Sequence, residues 1–196
     1  EHEQLEQSVY HIIHDLCGKD EFHERVLLID SKRENFLRQY TEGDLDRIIT
    51  IASRLKAEGL IDSYILSPNA EEPENSGIIS SINERWFDVE CTETHSTRNI
   101  PVFAQLWGFE QVKTRYVLQM DSDVVIHRGD EEYDVIGDML LSIQVEKVFS
   151  AGFNICQPLN SPFKEYESPP GKYVPEVRFG LLDLERIKTE RPFLVR

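Results

Sequence analysis

Apolar and polar residues follow two patterns along the chain, and together they predict alternating strands and helices. Short apolar runs between polar or turn residues are typical of buried strands, whereas apolar residues three and four positions apart are typical of one helix face. Strands are predicted at 25–29, 61–66, 86–91, 116–120 and 148–156, with another opening the segment 177–187. Helices are predicted at 3–17, within 34–58 with a start at Asp44, from Thr97 or Asn99 to about Lys113, and within 130–147. Residues 78–83 fit neither pattern clearly.

This alternation predicts the fold class and the place of a ligand site. Strands that alternate with helices at this spacing are typical of an α/β fold with a mostly parallel sheet. Right-handed crossovers put the carboxyl ends of such strands along one edge, where ligands bind. We therefore expect Asp30, Ser67, the polar loop 92–98, Asp121 and Asp123 to converge on one edge.

Two aspartates one residue apart, Asp121 and Asp123, follow the run 116–120. Carboxylates at the end of a buried strand are costly unless a cation or hydrogen bonds satisfy them. Magnesium is often held by one or two carboxylates together with substrate phosphates. The pattern predicts a site for a metal and a diphosphate. The alternative is that Asp121 caps the next element and that Asp123 is solvated.

Composition excludes several classes of partner. The 196 residues carry a net charge of −15, which would repel nucleic acid and anionic lipid. A nucleotide remains compatible, because a metal neutralises a diphosphate locally. Cys17, Cys91 and Cys156 are far apart, so we expect buried thiols in a reducing, cytoplasmic compartment. The absence of a Gly-rich phosphate loop argues against dehydrogenases and P-loop enzymes.

The segment 98–123 resembles a glycosyltransferase of the GT-A fold, in particular the large family 2. In that family a helix with a small residue and a glycine precedes a strand that ends in Asp-x-Asp. Ala104, Gly108, Tyr116, Asp121 and Asp123 stand at that spacing. The resemblance covers residues 26 to 196 approximately. It implies a Rossmann-like, three-layer α/β/α fold with a mostly parallel sheet.

The resemblance also implies an activity, in which a sugar moves from a nucleoside-diphosphate sugar to an acceptor that is a saccharide, a lipid or a protein. The cofactor would be a divalent metal, Mn²⁺ or Mg²⁺, acting as a Lewis acid for the leaving diphosphate. Nucleic acid is not an expected partner, whereas further domains of a longer chain are. The implied metal ligands are Asp121 and Asp123. The residues implied to bind the nucleotide sugar are Asp30, Ser31, Arg33, Arg98 and Asp121.

The sequence departs from the family at three places. Arg98 stands at the start of the predicted helix, where the family often has Asn. Ser67, Pro68 and Asn69 stand where the family often has an acidic residue that reads uracil, so the base is left open. No general base is evident, because Asp183 and Glu185 fit a helix face better than a catalytic role. We therefore expect an N-terminal helix and linker at 1–22, and a GT-A domain at 23–196 that is truncated on its acceptor side.

Two other functions remain open. A degenerate GT-A domain would bind nucleotide without turnover, as a binding or scaffold module of a larger protein. Asp121 to Val125 also fits the Asp-x-Asp-x-Val signature of haloacid-dehalogenase-like phosphatases, whose first aspartate is a nucleophile. That signature normally stands on the first strand of the chain, whereas three predicted strands precede it here.

Overall fold

The computed structural model describes residues 2–17, 21–31, 44–96, 101–125, 129–130, 132–152 and 179–193. Over these ranges the chain is a mixed α/β protein, which confirms the mixture of helices and strands in the predicted class but not its three-layer arrangement. None of the helices in these ranges has the length and apolar character needed to cross a membrane. The chain divides into two compact units. The first unit holds Glu1–Lys113, Val125–His127 and Glu190–Arg196, and the second holds Thr114–Val124 and Arg128–Thr189.

The helices and strands are short and are numbered in chain order. The helices are α1 (His2–His11), α2 (Leu45–Ala57), α3 (Ser76–Phe87), α4 (Phe103–Gln111), α5 (Val135–Ile143) and α6 (Leu184–Thr189). The strands are β1 (Val26–Ile29), β2 (Ser63–Leu66), β3 (Tyr116–Met120), β4 (Ser150–Gly152) and β5 (Phe179–Asp183). A π-helical turn, Ile12–Cys17, continues α1, and a 3₁₀ turn, Pro73–Asn75, precedes α3.

The first unit is built on a parallel pair, β1 and β2, in which Val26 lies opposite Ser63 and Ile29 opposite Leu66. Helix α2 begins where the sequence predicts, because the side chain of Asp44 accepts a hydrogen bond from the amide of Arg47. The predicted apolar face of α1 is confirmed as a packing surface on this unit. The apolar cluster that it joins consists of Val9, Ile51, Leu55 and Ile61.

A glycine lets α4 approach the parallel pair closely. A Cβ atom at Gly108 would lie 2.9 Å from a methyl carbon of Leu28 on β1. That distance is shorter than a van der Waals contact, so a larger residue would displace the leucine side chain or the helix. Gly108, which carries part of the family resemblance, therefore has a packing role in this chain.

The predicted strand at 86–91 is wrong, because Trp86 lies in the last turn of α3 and no strand is assigned at 88–94. Ile79, Ile82 and Trp86 are buried at the spacing of one helix face. Asp88 ends this helix in the left-handed conformation, with φ of 56°, and its amide donates to the carbonyl of Glu84. The apolar residues that suggested a strand therefore belong to the end of a helix.

The start of α4 also differs from the prediction. The sequence predicts a start at Thr97 or Asn99, whereas the helix begins at Phe103, and Pro101 pairs with His95 in an isolated β-bridge. The carbonyl of Thr94 accepts hydrogen bonds from the amides of Val102 and Phe103. This contact satisfies two amides at the start of the helix, which begins later than predicted.

The second unit contains a three-stranded sheet in the order β3-β5-β4, with both pairings antiparallel. The described part of the chain therefore does not form the mostly parallel sheet that the sequence predicts. It forms a parallel pair in the first unit and this antiparallel sheet in the second. The amide of Leu184 donates to the carbonyl of Arg115, so β5 ends beside the start of β3 and has to run in the opposite direction. The predicted strand and helix within 177–187 are confirmed as β5 and α6.

Asp183, at the end of β5, has no solvent exposure. Burial by itself would raise the pKa of this carboxyl group. Hydrogen bonds from the Arg115 side chain and the Arg186 amide, with the charges of both guanidinium groups, outweigh burial and lower the pKa below its usual value. One Arg186 nitrogen also donates to three carbonyl oxygens just after and within the last turn of α5, those of Ile143, Val145 and Val148. Asp183 is therefore a structural charge that joins two strands and two helices.

We expect Asp183→Ala to lower the free energy of unfolding by about 2–4 kcal/mol, since it leaves two arginines without their shared acceptor. Urea unfolding followed by circular dichroism measures this change. The matched control is Glu185→Ala, because Glu185 is an exposed carboxylate 3.4 Å from the same Arg115. Exposed ion pairs contribute little, so the control should unfold like the wild type. Equal stability of the two variants would contradict the structural role.

The lowered pKa of Asp183 also predicts acid sensitivity. A carboxyl group whose pKa is lower in the folded state binds fewer protons there than in the unfolded chain. Its stabilising effect is therefore complete above the unfolded value of about 3.9 and is lost as the pH falls through the folded pKa. Unfolding measured between about pH 6 and pH 2 should show this loss in the wild type and not in Asp183→Asn. Parallel curves for the two proteins would contradict the prediction.

Candidate functional site

The second unit places Asp121 and Asp123 in a turn directly after β3. The amide of Val124 donates to the carbonyl of Asp121 at 3.1 Å, which closes a four-residue turn that we call the carboxylate turn. Asp121, Ser122 and Asp123 are all exposed. Strands β3 and β4 are both antiparallel to β5, so their carboxyl ends point to the same edge of this sheet, and the carboxylate turn stands at that edge.

The first unit places a second group of predicted residues at the carboxyl ends of its parallel strands. Ser31 follows β1 and Ser67 follows β2, and both side chains are buried. The Ser31 amide donates to the Ser67 hydroxyl oxygen at 3.1 Å, and the two hydroxyl oxygens lie 3.4 Å apart. The Ser67 hydroxyl donates to a carboxylate oxygen of Asp30 at 3.2 Å. The expected convergence of Asp30 with Ser67 is therefore confirmed.

The loop after α3 brings a histidine to the same carboxylate. His95 Nε2 lies 3.0 Å from the second carboxylate oxygen of Asp30, and its Nδ1 lies 2.9 Å from the Thr94 hydroxyl oxygen. The side chain of His95 is 9% exposed and that of Asp30 is 29% exposed. We call the group Asp30, Ser31, Ser67, Thr94 and His95 the Asp30 network. The predicted position of the polar loop 92–98 beside Asp30 is confirmed for Thr94 and His95.

A buried amide side chain fixes the path of this loop. Asn83 on α3 is 4% exposed, and its nitrogen donates to the carbonyl oxygens of Cys91 and Glu93, each at 3.0 Å. Thr94 then contacts the start of α4 through its carbonyl. The loop is therefore held at Cys91, Glu93 and Thr94, directly before the residue that reaches Asp30.

The predicted site residues thus fall into three groups. Asp30 and Ser31 lie together in the first unit, and Asp121 and Asp123 lie together in the carboxylate turn of the second unit. Arg33 and Arg98 lie outside the described residues. His95 is the residue that the sequence did not single out. Its loop was predicted at the correct edge, but only the contact with Asp30 distinguishes it from the other polar residues of that loop.

The carboxylate turn offers a chemically suitable donor set for a hard divalent cation. Among the described residues no group of three or more histidine, cysteine, aspartate or glutamate side chains is arranged to enclose a metal ion. Magnesium usually keeps several waters and takes one or two protein carboxylates plus phosphate oxygens. Two exposed carboxylates in one turn are enough protein ligands for such an ion. Asp121 and Asp123 are therefore the residues that would hold a metal.

Comparison of the chain with known proteins found no matching family model, no matching curated protein and no matching solved structure.

We expect Asn83→Ala to loosen the loop that carries His95, because the carbonyls of Cys91 and Glu93 lose their donor. Loss of these bonds should cost about 1–3 kcal/mol. Hydrogen–deuterium exchange of residues 91–95 should become faster than in the wild type. Ser81→Ala is the matched control, since Ser81 is an exposed position on the same helix. Unchanged exchange in Asn83→Ala would contradict the anchoring role.

Proposed function

We propose that this chain is a metal-dependent glycosyltransferase domain of the GT-A type, which transfers a sugar from a nucleoside-diphosphate donor to a saccharide, lipid or protein acceptor. The observation that carries the proposal is the pair Asp121 and Asp123, exposed in one turn at the end of β3. The resemblance at Ala104, Gly108 and Tyr116 supports the same function.

Electrostatics makes the metal a necessary part of this proposal. Two unit charges of like sign 4 Å apart repel by about 4 kcal/mol near a protein surface. A diphosphate would therefore be repelled by two aspartates in a chain of net charge −15 unless a cation lies between them. A bound divalent cation would supply Lewis-acid stabilisation of the charge that develops on the leaving diphosphate. Asp123 would hold it, and Asp121 would hold it directly or bind the donor.

The resemblance implies that Asp30 and Ser31 bind nucleotide, and both lie at the carboxyl end of β1 in the first unit. Ligands of open α/β sheets bind at the carboxyl ends of parallel strands. A cytoplasmic location belongs to the same proposal and is supported by the three widely spaced cysteines.

One observation favours a second function, binding without turnover. Asp183 is buried between Arg115 and Arg186, and Glu185 lies beside Arg115. A carboxylate whose charge is already shared between two arginines is a poor general base for an acceptor hydroxyl. A module that binds the donor and leaves it intact would use the same carboxylate turn.

We expect Asp123→Ala to abolish metal-dependent nucleotide binding while leaving the fold intact. The measurement is thermal unfolding with the diphosphates of uridine, guanosine, cytidine and adenosine, each with and without Mn²⁺. At ~100 times the dissociation constant a ligand stabilises the folded protein by about 2.7 kcal/mol. For a chain of this length that corresponds to a rise in melting temperature of roughly 5–10 °C.

Asp88→Asn is the matched control for this experiment. Asp88 is an exposed aspartate of the first unit with φ of 56°, a backbone conformation that asparagine tolerates. This variant should keep the nucleotide response of the wild type. A wild-type protein that responds to no nucleotide, or a response that survives in Asp123→Ala, would refute the assignment. Release of free sugar or transfer to an acceptor would then separate the enzyme from the binding module.

A further inference from the structure

A groove of about 440 Å³ lies between α3 and α4, and all the residues that line it belong to the first unit. Ile78, Ile82 and Trp107 give it apolar surface, and Arg85 and Glu110 give it charged groups. Ile78 is 44% exposed, which is unusual for a large aliphatic side chain on a helix that packs against another. Small-molecule sites typically measure roughly 300–1,000 Å³ and combine apolar walls with a few polar groups. The groove has the size and the composition of such a site.

The indole nitrogen of Trp107 is buried and has no hydrogen-bond partner. Within the part of the chain that the structure describes, it is the one buried side-chain nitrogen or oxygen in this state. The N–H of Trp86, by contrast, donates to a carboxylate oxygen of Glu110 at 2.9 Å. An unpaired buried donor is unfavourable, so it gains free energy from any acceptor that it reaches. Because Trp107 also lines the groove, rotation of its ring is the way for this nitrogen to meet a bound molecule.

Arg85 sets the charge that suits a ligand of this groove. Its side chain is 48% exposed, and among the described residues it donates through one nitrogen, to Glu110 at 2.6 Å. Glu110 also accepts from Arg191 at 2.7 Å, so one carboxylate is shared by two guanidinium groups. The remaining N–H groups of Arg85 form a planar fork that matches a carboxylate. The groove therefore favours an anionic group, although the chain carries a net charge of −15.

We propose that the groove between α3 and α4 binds a small organic carboxylate. Its carboxylate pairs with Arg85, its apolar body covers Ile78 and Ile82, and the ring of Trp107 turns so that its N–H donates to an oxygen of the ligand. The volume favours a small molecule, because a stable protein partner requires about 800 Å² of surface from each side. Every residue of this site lies in the first unit, so the site does not depend on the carboxylate turn or on the proposed activity.

The first experiment observes the two indole N–H signals by ¹⁵N–¹H NMR, since the chain has two tryptophans. Trp107→Phe identifies which signal belongs to Trp107. The probe is cyclohexanecarboxylate, an aliphatic acid that causes no ring-current shift. We expect the Trp107 proton to move downfield and to saturate, because hydrogen bonding deshields it, with a smaller movement for Trp86, which already has its acceptor.

A probe with so few atoms is expected to bind in the millimolar range or more tightly. A Trp107 signal that stays in place through that range would overturn the site. A Trp107 proton that moves upfield would overturn the role of its N–H.

The second experiment tests the charge. Cyclohexylmethanol has the same body as the acid but no charge, and the wild type should bind the acid about tenfold more tightly, the effect of one hydrogen bond to a charged group. Arg85→Gln keeps a donor for Glu110 and removes the guanidinium. The acid should then bind only as tightly as the alcohol, whose own affinity should be that of the wild type. Arg47→Gln, an exposed arginine on α2, is the matched control and should keep the preference for the acid.

Loss of charge and loss of packing give different results in this comparison. A variant Arg85→Gln that binds both probes less tightly but still prefers the acid would overturn the role of Arg85. Equal affinity of the wild type for acid and alcohol would overturn the proposed class of ligand. Neither nucleotide nor metal enters these measurements, so their failure and the failure of the proposed glycosyltransferase function are observed separately.

Discussion

The charge of a fully buried carboxylate is the constraint around which the second unit is arranged. Asp183 has no exposure, and two arginines from different parts of the unit keep it ionised. Breaking a buried ion pair is far more destabilising than losing an exposed one, so both partners have to stay in place. Arg186 in addition binds the carbonyl of Ile143 at the end of α5 and that of Val145 just after it, and Arg115 precedes β3. One carboxylate therefore sets where β3, β5, α5 and α6 meet.

The position of the carboxylate turn depends on Asp183 through the register of β3 and β5. Tyr116 lies opposite Asp183, and this register carries Met120 to a position opposite Phe179 at the other end of β3. The next residue, Asp121, therefore leaves the sheet at its edge. A one-residue slip of β3 would reverse the faces of all its side chains and move the turn. The structural carboxylate and the candidate metal ligands are thus linked through five residues of paired strand.

The first unit meets a similar constraint with neutral groups. Serine, threonine and asparagine side chains are buried around Asp30, and each of them finds a partner within the unit. Such networks specify one geometry, because a partly satisfied network costs more than an apolar one. Both units therefore contain buried polar contacts beside a strand whose carboxyl end leads to an aspartate.

Local signals in the sequence were sufficient to predict elements whose interactions involve residues close together in the chain. Asp44 caps α2 by bonding an amide three residues later, and the apolar run before Asp121 forms β3. The prediction of a strand at 86–91 was wrong because the apolar residues around Trp86 fit the spacing of a strand as well as that of a helix. Ile79 and Trp86 are buried on the same face, and this burial favours the helix. A short apolar run does not say which surface will cover it.

The sequence by itself determined the mixed α/β class, the bounds of several elements and the placing of Asp30, Asp121 and Asp123 at strand ends. These features depend on residues close together in the chain. Only the tertiary structure decided the antiparallel pairing of β3 with β5 and the contact of His95 with Asp30. Residues that meet there are separated by 65 or so positions along the chain, in keeping with the non-local contacts that sheet pairing requires. Periodicity carries no information about such partners, because many arrangements of the same elements bury the same apolar faces.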